Sequence, residues 1–343
     1  MNPKVLVIAT SNKSRGGIAT VVNAFTHQPQ WSQYKCKWIK THIDKGFIHK
    51  LWMLSTALIQ YILLLPLYDI VHIHVSTTMS ANRKYIFYKL AKIFGKKTII
   101  HLHCGSQLSD IWNEKYEDMF VNADKCLTLS NGICDYIVSR TGKIDNVEVL
   151  YNPCPNIKEI DLTAKREKNI LFAATLYKEK GYLDLIEAFG KIATKHPEWK
   201  LLLAGNGSQD TGKALAEKYN IADHVKFLGW VKGNDKDNAF RTSSIFCLPS
   251  YAEGFPMAVL DAWAYGLPIV TTPVGGIPDI VVDGENGLLF NPGDVDALAT
   301  KLELLMKNAD LRKVLSEEAK KLADTTFNVA TIAQKLATIY ETI

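Results

Sequence analysis

Two carboxylates close together in one turn, Glu253 and Asp261, suggest where this chain does chemistry. They lie in the run from Ser250 to Pro268, behind an apolar stretch, Ile245 to Leu248, that reads as a buried strand. Gly254, Phe255, Pro256 and Met257 lead from it into a helix, with proline suited to the first helical position because its missing N–H would be unpaired there. A strand–loop–helix turn of this kind points backbone N–H groups outward at the positive end of the helix, where an anion such as a phosphate is held. Carboxylates beside a phosphate site are out of place unless they accept hydrogen bonds from hydroxyls, as a sugar or a ribose would offer. A solvated loop glutamate and an aspartate of the helix start is the alternative these residues leave open. Lys178 and Lys180, after a strand over 169–174, are candidate phosphate ligands or a solvated helix start. His103, at the C-terminal end of a strand over 96–103, fits a cleft-facing role or a hydrogen-bonded structural histidine. Gly16 and Gly17 follow the first strand and permit close approach of backbone to a ligand. The spacing is not G-x-G-x-x-G, so the dinucleotide fingerprint fails.

Strands alternating with helices must position these groups. Lys4–Ala9 is continuously apolar, as in a strand buried on both faces of a parallel sheet. Further strands are expected at 69–75, 96–103, 125–129 and 147–150. The pattern breaks at Tyr151-Asn-Pro-Cys-Pro155 and a charged stretch to Lys168. It then restarts at 169–174, 201–204, 225–230, 245–248, 268–271 and 287–290. The expected domains are 1–165 and 166–326, with an amphipathic helix over 327–343, apolar at 329, 332, 336 and 339. At 343 residues, 47% hydrophobic and 22% charged, the chain has the composition of a soluble globular protein with two cores. Its six cysteines show no metal spacing and read as reduced thiols of a cytoplasmic protein without a secretory leader. His72, His74, His101 and His103 alternate on two strands, but no acidic or cysteine ligand completes a set, so no metal is expected.

Charge is uneven. Residues 1–165 hold 20 Lys and Arg against 12 Asp and Glu, and residues 166–343 hold 20 against 23. An anionic partner is therefore expected for the first half, with no sign of nucleic acid. The apolar segment 51–67 is short for a transmembrane helix and lies between basic stretches at 35–50 and 83–97. A face docked on an anionic membrane is the expectation, and a buried helix with solvated lysines around it the alternative.

Taken together, the alternation, the Gly16-Gly17 turn and the Glu253 turn resemble the retaining glycosyltransferase family 4, of two-Rossmann (GT-B) architecture and bacterial surface-polysaccharide type. The resemblance spans essentially the whole chain and is most specific from Ala173 to Phe290. It implies two α/β domains facing across a cleft, with the last helix crossing back to the first. In that family an E-x7-E motif stands where Glu253 and Asp261 stand, the first acid on the donor sugar and the second on the ribose; here the second is one methylene shorter. Lys180 matches the diphosphate-binding lysine, while Thr175 takes the place of an arginine and Lys178 is the expected substitute. Gly275-Gly276 and Asp279 match a G-G-x-x-E motif, again with Asp for Glu. Gly16-Gly17 matches the donor-phosphate loop, and His103 the histidine near the donor sugar. Thus the resemblance implies catalytic roles for His103, Glu253 and Lys180. Donor contacts would come from Gly16, Gly17, Thr175, Lys178, Lys180, Gly205, Gly254, Phe255, Pro256, Met257 and Asp261. The implied reaction moves a sugar from a nucleotide sugar, UDP ahead of GDP, to a glycan or lipid-linked acceptor, with retention and without metal or cofactor. A nicotinamide dehydrogenase, a nucleotide-sugar 2-epimerase and a non-catalytic scaffold are the rival readings.

Overall fold

The computed structural model describes residues 2–14, 16–44, 46–104, 108–157 and 159–343. It divides into two units, residues 1–153 with 329–343, and residues 154–328. Each holds one parallel six-stranded sheet with helices.

In the first unit the strands are β1 (Val5–Ala9), β2 (Lys37–Lys40), β3 (Ile70–Val75), β4 (Lys97–Leu102), β5 (Lys125–Thr128) and β6 (Val147–Val149), in the order β2-β1-β3-β4-β5-β6. β1 and β3 are buried at every residue, as the apolar runs require of strands covered on both faces. β2 was not legible: Lys-Trp-Ile-Lys is short and charged, and only Ile39 is buried, as suits the sheet edge it occupies. The helix Val329–Thr342 completes this unit. Tyr340 lies edge-on to Tyr34, and Tyr34 donates to Glu341 at 2.5 Å.

The second unit contains β7 (Asn169–Ala173), β8 (Lys200–Ala204), β9 (Val225–Gly229), β10 (Ile245–Leu248), β11 (Ile269–Thr271) and β12 (Leu288–Leu289), in the order β12-β11-β10-β7-β8-β9. Strand order reverses between β7 and β10, which are hydrogen-bonded neighbours. In open α/β sheets the ligand crevice opens beyond the carboxyl ends of the strands at such a reversal. The loops leaving β7 and β10 carry Lys180 and Glu253. In the first unit the reversal lies at β1 and β3, so the Gly16-Gly17 turn occupies the corresponding place.

The boundary falls at 153/154, not at 165/166. The charged stretch expected to close the first domain is tied to the second instead. The Cys154 N–H donates to the Phe327 carbonyl at 2.7 Å, and Arg166 donates to the Ser243 and Tyr265 carbonyls.

The apolar segment forms a helix, Phe47–Leu64, and a 3-10 turn, Leu65–Leu67. Starting at Phe47, its 21 residues are long and apolar enough to cross a membrane by length and composition. Only 17% of its apolar window is buried, however. One face, Ala57, Tyr61 and Leu65, packs into the first unit, where the Tyr61 hydroxyl donates to the Phe87 carbonyl at 2.7 Å. The basic helix Thr78–Ile93 also departs from the solvated-lysine reading. Lys84 is fully buried, and Lys89 pairs with Asp118 while Lys92 and Lys97 pair with Asp124.

Candidate active site

The turn after β10 is built by backbone packing. Pro256 is not the first helical residue; its extended backbone caps the helix Met257–Ala264, and its carbonyl accepts from Val259 N–H at 3.0 Å. No side chain caps this end, so the Met257 and Ala258 N–H groups, which precede the first helical hydrogen bond, face an incoming anion. Phe255 is buried near Phe327 and anchors the turn. A second loop lies directly on the first: the Gly276 N–H donates to the Gly254 carbonyl at 2.7 Å. A Cβ on Gly275, whose φ is +60°, would stand 1.9 Å from the Glu253 carbonyl oxygen. Asp279 ends a 3-10 turn, Ile277–Asp279, just beyond.

The loop after β7 is fitted as closely. A Cβ on Gly181, φ +70°, would stand 1.9 Å from the Pro249 carbonyl oxygen, and one on Gly205 would stand 1.7 Å from that of Ala174. Tyr251 N–H donates to the Glu179 carbonyl at 2.9 Å, tying the two loops together. The outcome brings two candidates into contact. Lys180 Nζ lies 2.7 Å from Glu253 Oε1, which also accepts from the Ser250 hydroxyl at 2.6 Å. Glu253 is 10% exposed and Lys180 27%, so the pair is reachable from solvent yet largely desolvated. Thr175 is half-buried in the loop that leaves β7, whereas Lys178 is exposed at the start of the 3-10 turn Lys178–Lys180.

Asp261 has a partner that no local pattern announced. Lys236, on the helix Asn234–Thr242, places Nζ 2.7 Å from Asp261 Oδ2. Burial raises the Asp261 pKa, and the ammonium opposes that rise.

In the first unit Gly16, with φ +124°, precedes the helix Gly17–Thr26. Nothing lies within 4 Å of a Cβ built there, so glycine is needed for its backbone angle and not for space. His103 is half-buried at the end of β4, the outer member of a group of four imidazoles. The register of β3 and β4 pairs His74 with His101, so alternation gathers all four on one face. His74 Nδ1 and His103 Nε2 lie 2.8 Å apart, His72 Nε2 and His101 Nδ1 3.3 Å, and the Tyr340 hydroxyl is 2.8 Å from His72 Nδ1. Burial lowers the pKa of all four, that of His101 to about 3, and neighbouring imidazoles add to the effect at His72, His74 and His103, so they are uncharged at neutral pH. Nitrogens of His72, His74 and His101 come within 4.8 Å of one another. The His72 ring stacks on His74 at 23° and on His101 at 11°, while His74 and His101 are tilted by 33°. Beneath them the buried Lys84 donates to the His74 carbonyl and, at 3.1 Å, to the Ser80 hydroxyl. Desolvation and the adjacent Arg83 lower its pKa to about 7.

Comparison with known proteins agrees with this geometry. The sequence profile of glycosyl transferases group 1 matches residues 155–322. An uncharacterized glycosyltransferase of Haemophilus influenzae is 31% identical over 203 residues, 56% of this chain and 57% of that protein. A lipopolysaccharide 1,6-galactosyltransferase of Salmonella typhimurium is 29% identical over 54% of this chain and 53% of its own length. The chain thus matches a little over half of each of these relatives. Among solved structures, HepE of Anabaena, determined in complex with UDP, superposes with a TM-score of 0.77 at 18% identity over 99% of this chain and all of HepE. The profile match lies over the unit that holds Lys180, Glu253 and Asp261, so residues 155–322 form a glycosyl transferases group 1 domain, and the chain has the two-sheet GT-B fold.

Proposed function

We propose that this protein transfers a sugar from a nucleoside-diphosphate sugar, a UDP-sugar ahead of a GDP-sugar, to a glycan or lipid-linked acceptor with retention of configuration, in bacterial polysaccharide synthesis. The observation that carries this reading is the Lys180–Glu253 pair, set beside an uncapped helix N-terminus at the strand-order reversal. Breaking a sugar–diphosphate bond builds negative charge on the leaving phosphate and positive charge on the anomeric carbon. Lys180 and the N–H groups of Met257 and Ala258 are the donors that stabilise the first. Glu253 accepts from the sugar hydroxyls and holds the ring. Without donor, each of these two groups satisfies the other; a nucleotide sugar replaces their ion pair with a phosphate for the ammonium and hydroxyls for the carboxylate. Asp261 takes the ribose, and His103, uncharged, offers a ring nitrogen to the sugar or acceptor. Positive charge in the site takes the part that a divalent cation plays elsewhere. The Salmonella relative's lipopolysaccharide activity and the UDP bound to HepE support the donor and pathway assigned.

The test is transfer from radiolabelled UDP- and GDP-sugars to a bacterial lipid-linked oligosaccharide extract, with EDTA present. Product that depends on acceptor is expected, and Glu253→Gln should lower turnover at least tenfold while leaving the melting temperature within a few degrees. Conversion of donor without acceptor would indicate an epimerase. Turnover by Glu253→Gln within twofold of wild type would remove Glu253 from the site.

Membrane contact belongs to the same proposal. The outer face of the Phe47–Leu67 segment exposes Phe47, Ile48, Trp52 and Leu63 at 70% or more each, and Leu51, Ile59, Ile62 and Leu67 are exposed too. A helix apolar on all sides is normally covered all round. Residues 1–100 carry fourteen Lys and Arg against two acids, Asp44 and Asp69. Lys84 in this stretch is buried and Lys89, Lys92 and Lys97 pair with Asp118 and Asp124, and the basic excess that remains favours an anionic bilayer over a second copy of the same chain. Co-sedimentation is expected with vesicles containing phosphatidylglycerol, reversed by high salt and by Trp52→Ser with Leu63→Ser. Absence of binding to anionic vesicles at low salt would leave the acceptor soluble.

A further inference from the structure

Resting on the reading that Asp261 receives the ribose, we propose that Lys236 is a positioning residue for the nucleotide: it binds one oxygen of Asp261 and turns the other toward the ribose hydroxyls. On the helix Met257–Ala264, Val259, Leu260, Ala262, Trp263 and Ala264 are all buried, and Asp261 is the sole ionisable side chain. Its carboxylate is 17% exposed, so one edge reaches solvent while the rest is enclosed. Oδ2 is held by Lys236 at 2.7 Å, and no partner holds Oδ1 among the described residues. Lys236 comes from a different helix, Asn234–Thr242, and its ammonium lies 5.6 Å from the centre of the buried Phe240 ring. A single ammonium bond leaves a carboxylate with one oxygen free for a second donor, and that is the acceptor a hydroxyl needs.

The pair also governs charge. The titratable groups facing Asp261 are Lys236, Tyr265 at the end of its own helix, and Cys154 of the segment entering the unit. Lys320 and Asp324 lie beyond Cys154 and pair with each other. Tyr265 and Cys154 are uncharged at neutral pH, since burial raises both. Among the described residues Lys236 is therefore the one positive neighbour that opposes the upward shift of this buried acid. Without it, Asp261 takes up a proton at a higher pH, and its affinity for a hydroxyl donor falls in acid before it falls in alkali.

The experiment is calorimetric titration of UDP at pH 6.0 and pH 8.5 against wild type, Lys236→Met, Lys236→Arg and Asp261→Asn, with melting curves for each. Wild type should bind similarly at both pH values. Lys236→Met should bind at least tenfold more weakly at pH 6.0 and recover to within threefold at pH 8.5. Lys236→Arg, which keeps the charge and can be read even where Lys236→Met does not fold, should stay within threefold throughout. Asp261→Asn should be weak at both. Wild-type affinity in Asp261→Asn removes the ribose reading and this proposal with it. A weak Asp261→Asn beside a Lys236→Met indistinguishable from wild type at both pH values overturns the proposal alone and leaves that reading standing.

Discussion

Lowering the pH from 7.5 to 5.5 should cost the first unit about 4 kcal/mol of stability through His72, His74 and His101 alone, at roughly 1.4 kcal/mol for each group over that interval, most of it below pH 6.5. All three are about 1% exposed, and burial holds their pKa values well below the ordinary value of 6.5, that of His101 at about 3. The sign follows from proton counts. Below pH 6.5 the unfolded chain binds protons that the folded stack refuses, so stability is present above 6.5 and falls as pH drops toward the folded values. Lys84 adds to this slope only near and above pH 7, where the folded state begins to lose a proton that the unfolded chain keeps; at lower pH it is protonated in both states. Hydrogen exchange followed by mass spectrometry should show peptides over 70–75 and 97–102 losing protection at pH 5.5 while those over 200–204 keep theirs. His74→Leu should reduce the slope by about one histidine's share. Equal protection of both sets at both pH values would mean the stack accepts protons in the fold.

Gly275→Ala should abolish most activity, by at least about 100-fold, because displacing a substrate-positioning group by an ångström has an effect of that order. The new methyl would stand 1.9 Å from the Glu253 carbonyl oxygen, 2.6 Å from its carbonyl carbon and 3.0 Å from the Gly254 oxygen. Backbone on one side cannot rotate away as a side chain would, so the loop must lift and carry Glu253 with it. The matched control is Gly284→Ala, also at positive φ, +82°, with nothing within 4 Å of its Cβ. It bears only backbone strain, about 1–3 kcal/mol, and should retain turnover. Comparable kcat/KM in the two variants would show that the Gly275 loop adjusts without moving the acid.

What the sequence displayed was whatever depends on neighbours along the chain. Apolar runs such as Val5–Ala9 and Ile245–Leu248 are strands because each buries both faces, and glycine next to a strand end marks a turn. Hidden were the properties set by distant residues. Lys-Trp-Ile-Lys becomes β2 only because β1 offers an edge. Lys180 reads as a phosphate ligand and Glu253 as a sugar ligand, yet 73 residues of chain fold to make them partners. Lys236 lies among polar residues with no spacing to mark it, 25 positions before Asp261. The basic helix looked free because Asp118 and Asp124, which neutralise part of it, come from later elements. The histidine alternation was visible; its stacking needed the register of β3 against β4.

The last helix carries a consequence for how the protein is made. Tyr340 shares a hydrogen bond with His72, and Glu341 accepts one from Tyr34, so the unit that is translated first lacks these closing pieces until residues 329–343 have been made. During synthesis residues 154–328 have their whole sheet in hand before residues 329–343 emerge, while the earlier unit waits without its last helix. The order of emergence and the order of completion are therefore reversed.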